Sequence, residues 1–333
     1  MNVLRPVFSP DERVEIHEEL DKILVSGWIG QGPKVKELEE KWATYTGAKY
    51  AVATNSCTAA LDIAVRAIDL PETVTVSPFT FISSALAPLN AGHKVKFVDI
   101  DPVSLCTPKA DIQVMYAGNQ SGKGIIYDMA HSSGVKHKGI ISCWSFHAVK
   151  NLPAGDGGML TTDDEEVYKK TRALSWCGID KSTFERNKDR YSWDYDIQET
   201  GLKAHMNDIT AIIALAKLKN LDKDNAYRAK LASWYDTYLP ESIIRPFRSS
   251  TWHLYTIKVS DRDGLYNYLA ESGISCGVHY APLYRYENVF GKNETLPETQ
   301  RAFESIISLP MHLEVTENDV KKICSLIKQY GTV

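Results

Sequence analysis

Apolar and polar residues follow two different rhythms along this chain. Residues 12–25 and 35–45 repeat at helical spacing, and the glycine-rich stretch Gly27-Trp28-Ile29-Gly30-Gln31-Gly32-Pro33 between them reads as a loop. Residues 50–53 form a short strand pattern, Asn55-Ser56-Cys57-Thr58 a turn, and 59–68 an amphipathic helix that Asn55 or Ser56 can cap. Four short apolar runs follow, at 74–76, 95–98, 125–127 and 140–145, as expected for strands of a sheet covered on both faces. After the Asp156-Gly157-Gly158 turn, 159–162 reads as another strand. Helical spacing then dominates from 165 to about 238, with Ile209, Ile212, Ile213, Ala216 and Leu218 in phase. The pattern changes near Pro240. Beyond it come a strand at 253–259, a helix at 265–272, a strand at 275–279 and a helix at 318–330. The expectation is a large α/β domain, 1–235, followed by a smaller α+β domain, 236–333.

Composition narrows the function classes. The 333 residues are 44% hydrophobic and 24% charged, with a net charge of −4, which fits a soluble globular chain with a sizeable core. No basic face points to nucleic acid. No run approaches the roughly 18 apolar residues of a membrane span, and residues 1–9 lack the apolar core of a signal peptide. Six scattered cysteines without a CxxC pair read as reduced thiols of a cytoplasmic protein.

Four short segments carry candidate chemistry. Lys150 is the lone charge between an apolar strand ending at Ser145 or Phe146 and the glycine-rich turn from Gly155. A lysine desolvated in that way has a lowered pKa and becomes a nucleophile toward aldehydes; the plainer reading is a surface turn lysine. Asp128 ends the strand Ile125-Ile126-Tyr127, at the edge where open α/β sheets place their ligands. A buried carboxylate needs a partner, and a pyridinium nitrogen is a suitable one, although a strand-end aspartate also caps turns. Asn55 to Thr58 offers free N–H groups and two hydroxyls to a phosphate, but simple capping is the commoner use. Ser77-Pro78-Phe79-Thr80-Phe81 supplies an aromatic that can stack on a planar ring or pack in the core.

Other motifs are weaker. Gly118-Asn119-Gln120-Ser121-Gly122-Lys123-Gly124 looks like a phosphate loop but is one residue short, ends in Gly and precedes a strand instead of following one. There is no GxGxxG. His131, His137, Cys143 and His147 match no zinc spacing, so no metal site is assigned.

Taken in order, the segments 27–33, 55–58, 79–81, 128–131, 145–158, 201–218, 279–283 and 308–310 resemble the DegT/DnrJ/EryC1/StrS sugar aminotransferases, a branch of the fold-type I pyridoxal 5'-phosphate (PLP) enzymes. Ser145-Phe146-His147-Ala148-Val149-Lys150-Asn151 is the most specific stretch. The resemblance implies a mainly parallel mixed sheet between helices, with residues 1–25 packing on the small domain. It implies that Lys150 holds PLP as a Schiff base and shuttles protons, with pyridoxamine phosphate between the two halves of the reaction. By the same match Asp128 faces the pyridine nitrogen, Phe81 stacks on the ring, and His131 lies near the 3'-oxygen. Ser56, Cys57, Thr58 and Ser145 would take the phosphate. His205, on a loop near 201–208, would reach the cofactor of a partner subunit in a homodimer with shared active sites. Trp28, Ile29, His279 and Tyr280 would meet the substrate. The implied reaction moves an amino group, usually from glutamate, to a keto group of a nucleotide-linked deoxysugar.

The chain departs from the family pattern at five places. Cys57 replaces a glycine, which is acceptable if the turn there is αR or β. His131 stands where Gln is common, and His205 where Asn or Arg is common. Leu202 and Ala204 replace aromatics. The stretch from Asp101 to Gly124 is short, where the family usually has an extra helix and strand. Alternatives within PLP chemistry are an amino-acid aminotransferase, a sugar dehydratase, or a degenerate non-catalytic relative; the dehydratases carry histidine in place of the lysine, and Lys150 argues against them.

Overall fold

The computed structural model describes residues 1–179, 194–247 and 249–331. Its main sheet has seven strands among the described residues: β1 (Tyr50–Thr54), β2 (Thr73–Val76), β3 (Lys94–Phe97), β4 (Ile112–Val114), β5 (Ile126–Asp128), β6 (Ile141–Ser145) and β7 (Gly158–Thr162). Their order is β1-β7-β6-β5-β4-β2-β3, and β7 is the one strand reversed relative to the other six. The expected mainly parallel mixed sheet is therefore present. Because β1 and β6 both oppose β7, Thr54, Val76, Val114, Asp128 and Ser145 all finish at one edge.

Each strand face has its own core. On β6, Ile141 and Cys143 point into one apolar cluster, with Val52, Leu160 and Ile126, while Trp144 points into the other, with Ala51, Ala53, Met159 and Tyr127. That is the two-residue alternation of a strand buried on both sides. The first face is covered by helices α3 (Cys57–Ala67) and α4 (Ser83–Asn90), the second by α2 (Pro33–Thr46). Helix α1 (Pro10–Ser26) starts at a capping box in which Ser9 and Glu12 satisfy each other's N–H groups. After α5 (Glu165–Ser175), residues 194–207 run as extended loop, so helices do not fill 165–238; residues 180–193 of that expectation lie outside the described residues. Helices α6 (Asp208–Leu218) and α7 (Leu221–Tyr238) follow, and α6 packs on both α1 and α2.

The C-terminal part pairs β8 (Tyr255–Lys258) with β9 (Ile306–Leu309), antiparallel, and surrounds them with α8 (Arg262–Glu271), α10 (Pro297–Ser305) and α11 (Glu317–Tyr330), after a one-turn α9 (Glu287–Phe290). Of residues 1–25, expected to pack on the small domain, 1–5 lie against it, since Met1 bonds both Gly273 and Ser275 and Val3 accepts from the Met311 N–H at 2.9 Å, whereas α1 packs on α6.

Two expectations need correction. The short 101–124 stretch keeps its strand, because β4 lies parallel between β2 and β5, although no helix occurs between Phe97 and Ile112. Residues 275–279 do not form a strand. The His279 ring reaches back over Gly277 to Ser308 Oγ at 3.0 Å, and backbone pairing is limited to one bridge between Gly277 and Ser308.

Candidate active site

The common edge of the parallel strands opens into a cavity of about 390 Å³, within the size range of small-molecule sites, ~300–1,000 Å³. Open α/β sheets bind ligands at this edge. Its walls include Ser56, Cys57, Thr58, Phe81, Asp128, His131, Ser145, Lys150, His279 and Tyr280. Ten of the residues singled out in the sequence thus meet in one place.

Asp128 closes β5 on the same face as Ile126, so it turns toward α4. Its carboxylate is 6% exposed and accepts hydrogen bonds from Ser84 Oγ at 2.6 Å and the Ala130 N–H at 3.0 Å. Thr80 Oγ1 in turn lies 2.9 Å from Ser84 Oγ. Burial raises the Asp128 pKa, against the lowering effect of Ser84, Ala130 and Lys150. Two hydrogen bonds leave each carboxylate oxygen with acceptor capacity facing the cavity.

Lys150 follows β6 in a tight turn. Burial brings its ammonium down to about 8, against the pull of Asp128 and Cys57. At pH 7 about one such amine in ten is neutral, against roughly one in three thousand for an ordinary solvated lysine. Its hydrogen-bonding neighbour is the imidazole of His253, with Nζ 3.5 Å from Nε2.

The start of α3 forms the next wall. Ser56 caps the helix by accepting from the Ala59 N–H at 3.1 Å. The N–H groups of Cys57 and Thr58 belong to the first turn, where a helix offers no acceptor of its own. Cys57 is the first helical residue and has no positive φ, so the αR condition for losing the family's glycine is met. The turn lies directly on β7. A Cβ on Gly158 would fall 2.5 Å from Cys57 N and from Ser56 C. Ser145 ends β6, 5% exposed, beside this turn. Phe81 is 58% exposed and reaches the cavity from the loop after β2.

On the other side, His131 Nδ1 accepts from the Ala117 N–H at 3.1 Å, which puts its proton on Nε2, 3.1 Å from the Tyr280 hydroxyl. Burial holds His131 well below the usual histidine range and brings His279 to about 4, with Lys150 adding to both shifts.

Three expected residues lie elsewhere. Trp28 Nε1 donates to Gln31 O at 2.9 Å and the ring covers Gly32, while Ile29 is 46% exposed on the same loop. His205 pairs with Thr54 across a single bridge and meets Trp176 edge-on at 4.3 Å. Its Nδ1 is buried without a hydrogen-bond partner. The loops carrying these residues are tied together by Asp208, which accepts from the N–H groups of Gly32, Lys34 and Val35.

The sequence pattern leaves Ser84 and His253 unassigned and marks Asn151 only as the end of the stretch 145–151. Ser84 is a fully buried serine in an apolar helix, and His253 lies just before the apolar strand β8; both patterns usually mean packing. Asn151, next to Lys150, was the available signal. The 118–124 loop instead wraps the Gln113 side chain, which donates to Ser121 O at 3.2 Å and Thr107 O at 3.1 Å. His137 bonds Thr161 Oγ1, remote from the cavity walls, and among the described residues no group of three or more His, Cys, Asp or Glu side chains is arranged for a metal.

A mainly parallel sheet flanked by helices, a small C-terminal α+β unit and a lysine–aspartate cavity at the carboxyl edge make up the fold-type I aminotransferase architecture. The chain belongs to the DegT/DnrJ/EryC1/StrS aminotransferase family, whose model matches residues 10–122 and 113–328. The spore coat polysaccharide biosynthesis protein SpsC of Bacillus subtilis is 33% identical over 373 positions, covering 97% of this chain and 95% of that protein. Since this chain has 333 residues, SpsC has segments that it lacks. Spr1654 of Streptococcus pneumoniae, provisionally assigned as a sugar aminotransferase, superposes in its PMP-form with a TM-score of 0.87 at 27% identity, covering 99% of this chain and 98% of that one. Its PLP-form gives 0.85 at 25% identity, with both chains fully covered.

Proposed function

We propose that this aminotransferase carries PLP on Lys150 Nζ and moves an amino group from an amino acid, with glutamate the expected donor, to a keto group of a nucleotide-linked deoxysugar. The observation that carries this reading is the meeting of Lys150, Asp128 and the first turn of α3 in one cavity. When bound, PLP supplies an electron sink for the carbanion that forms as the substrate loses its proton. Asp128, buried with no cation hydrogen-bonded to it, suits a protonated ring nitrogen. The Cys57 and Thr58 N–H groups, with Thr58 and Ser145 hydroxyls, suit a phosphate at a helix start. The bare Gly158 backbone lets that turn seat close to the sheet. Phe81 offers a ring face to a planar group.

Lys150 Nζ, with its lowered pKa, takes a proton at substrate carbon and returns it, acting as base and then acid. His131 and Tyr280 border the same space, and with His279 they form the polar wall for substrate. Names of relatives support the sugar: Spr1654 as a sugar aminotransferase and SpsC in polysaccharide synthesis.

The half-exposed Phe81 and the exposed Ile29, on a loop remote from the cavity, favour a homodimer in which a second copy covers the cavity. Residues 236–333 are proposed as the smaller domain, supported by β8 and β9, which form a two-stranded sheet separate from the seven-stranded one. Six unpaired cysteines favour the cytoplasm, and among the described residues no helix is long and apolar enough to cross a membrane. The decisive experiment offers a panel of nucleotide-linked keto-sugars with glutamate and PLP. Amine transfer to one of them is expected. Absence of turnover on every sugar, with cofactor bound, would overturn the sugar assignment. Loss of the visible absorption band in Lys150→Ala is expected from the lysine assignment, and its retention would refute it.

A further inference from the structure

The environment of His253 is more constrained than packing requires. This histidine is 1% exposed, opens the approach to β8, and lies beside Lys150 although 103 residues separate them. Its ring is oriented by Asn151. The Asn151 amide nitrogen donates to Thr251 O and to Asn225 Oδ1, both at 2.8 Å. Thr251 O is a carbonyl and can only accept, so the amide cannot be flipped. Asn225 is fixed in turn, since its nitrogen donates to Ser133 O at 2.9 Å. The Asn151 carbonyl oxygen therefore faces His253 Nδ1, at 3.2 Å, and also can only accept. Nδ1 must carry the proton. In the neutral ring this leaves a lone pair on Nε2, aimed at Lys150 Nζ. His131 lies against the same ring, with centroids 4.3 Å apart, and restricts its rotation.

We propose that His253 is a positioning residue for Lys150: locked by Asn151 and Asn225 as the Nδ1–H tautomer, it presents a fixed acceptor that holds the lysine amine in place whenever that amine is free. The inference rests on Lys150 being the reacting amine. An amine that donates one hydrogen to a fixed acceptor has its own lone pair turned elsewhere, and the remaining open side is the cavity. When Nζ gains a proton, the same acceptor stabilises the ammonium. Burial and the fields of His131 and Lys150 keep His253 itself neutral, as this role requires. The other groups facing the pair are Asp128 and Cys57, which favour charged Lys150, and His279 and Arg228, which disfavour a charged His253. His131 cannot replace His253, because its lone pair is occupied by the Ala117 N–H.

The test compares His253→Phe, which removes both ring nitrogens, with His253→Gln, whose amide can present a donor to Asn151 and an acceptor to Lys150. In the cofactor-free protein, the pH dependence of Lys150 acetylation is followed by peptide mass spectrometry. The midpoint should fall by about half a unit or more in His253→Phe, because a buried ammonium loses its acceptor, and should return toward wild type in His253→Gln. In the holoenzyme kcat should fall tenfold or more in His253→Phe, with KM for the amino donor within threefold, and His253→Gln should recover most of the loss. Asn151→Ala, which frees the tautomer but keeps the ring, should give an intermediate midpoint and stands in if His253→Phe fails to fold. An unchanged Lys150 midpoint in His253→Phe, or in Asn151→Ala in its place, overturns the proposal. So does a His253→Gln protein no better than His253→Phe. The labelling arm uses neither cofactor nor sugar, so failure of the sugar panel would not register there.

Discussion

Gly158→Ala is a one-carbon test of how the site is seated. The added Cβ would lie 2.5 Å from Cys57 N, 2.5 Å from Ser56 C and 2.6 Å from Ser56 O. All three are backbone atoms, so no side chain can rotate away. Restoring ordinary contact requires the start of α3 to lift by about 1 Å from β7, the usual response to overpacking, at about 1–3 kcal/mol. The same movement would displace the Cys57 and Thr58 N–H groups. A hydrogen bond to a charged group contributes about 1.5–3 kcal/mol, so losing one weakens a phosphate ligand roughly ten- to a hundredfold. Thermal melting of the cofactor-free protein and titration with PLP measure the two effects separately. Gly155→Ala is the control. Gly155 has φ +90° and nothing within 4 Å of its would-be Cβ, so it should lose stability through backbone strain and leave PLP affinity unchanged. Wild-type melting and wild-type PLP affinity in Gly158→Ala would refute the reasoning.

Lys150→Met should stabilise the cofactor-free protein at pH 7 by up to ~3 kcal/mol, because a lysine lowered from 10.5 to about 8 destabilises the fold. The unfolded chain binds the extra proton between those values, so the wild-type penalty holds below pH 8 and fades as pH rises toward 10.5; denaturation curves across that window would show the two proteins converging. Asp128→Asn should also stabilise the cofactor-free protein at neutral pH, since burial raises this carboxyl and its charged form is the disfavoured one. With cofactor present the same change removes one member of a buried ion pair, worth roughly 3–5 kcal/mol, and amine transfer should fall by orders of magnitude in a steady-state assay. If the proposed homodimer brings His205 to a partner's phosphate, His205→Ala should weaken PLP binding about tenfold, the loss of one hydrogen bond to a charged group, without altering the mass in sedimentation.

The sequence made the strand-end chemistry legible because each element of it is local. Asp128 and Ser145 close apolar runs, Ser56 precedes a helical repeat, and Lys150 is the lone charge in its neighbourhood. What escaped depends on contacts between distant segments. β4 has only three residues, too few to display a period, and owes its place to β2 and β5 on either side. The apolar run of β9 gains its meaning only from β8, across a ladder that pairs Tyr255 with Leu309. His253 and Asn225 acquire roles through Asn151, 102 and 74 residues away. Trp28, Ile29 and His205 fall outside the cavity of their own chain, where residue spacing gives no guidance.

The cavity walls draw on residues from Leu4 to Tyr280. Leu4 is held there by contacts from the first five residues to Gly273, Ser275 and Met311, all beyond position 270. The pocket therefore has no complete precursor during synthesis: most of the chain must emerge before its first few residues find their seat. A ligand that selects the finished pocket stabilises only the fully folded chain. Full cofactor affinity would then record the end of folding, and a ribosome-bound chain stopped short of His253 would carry Lys150, Asp128 and the α3 turn without the wall that His253, His279 and Tyr280 complete.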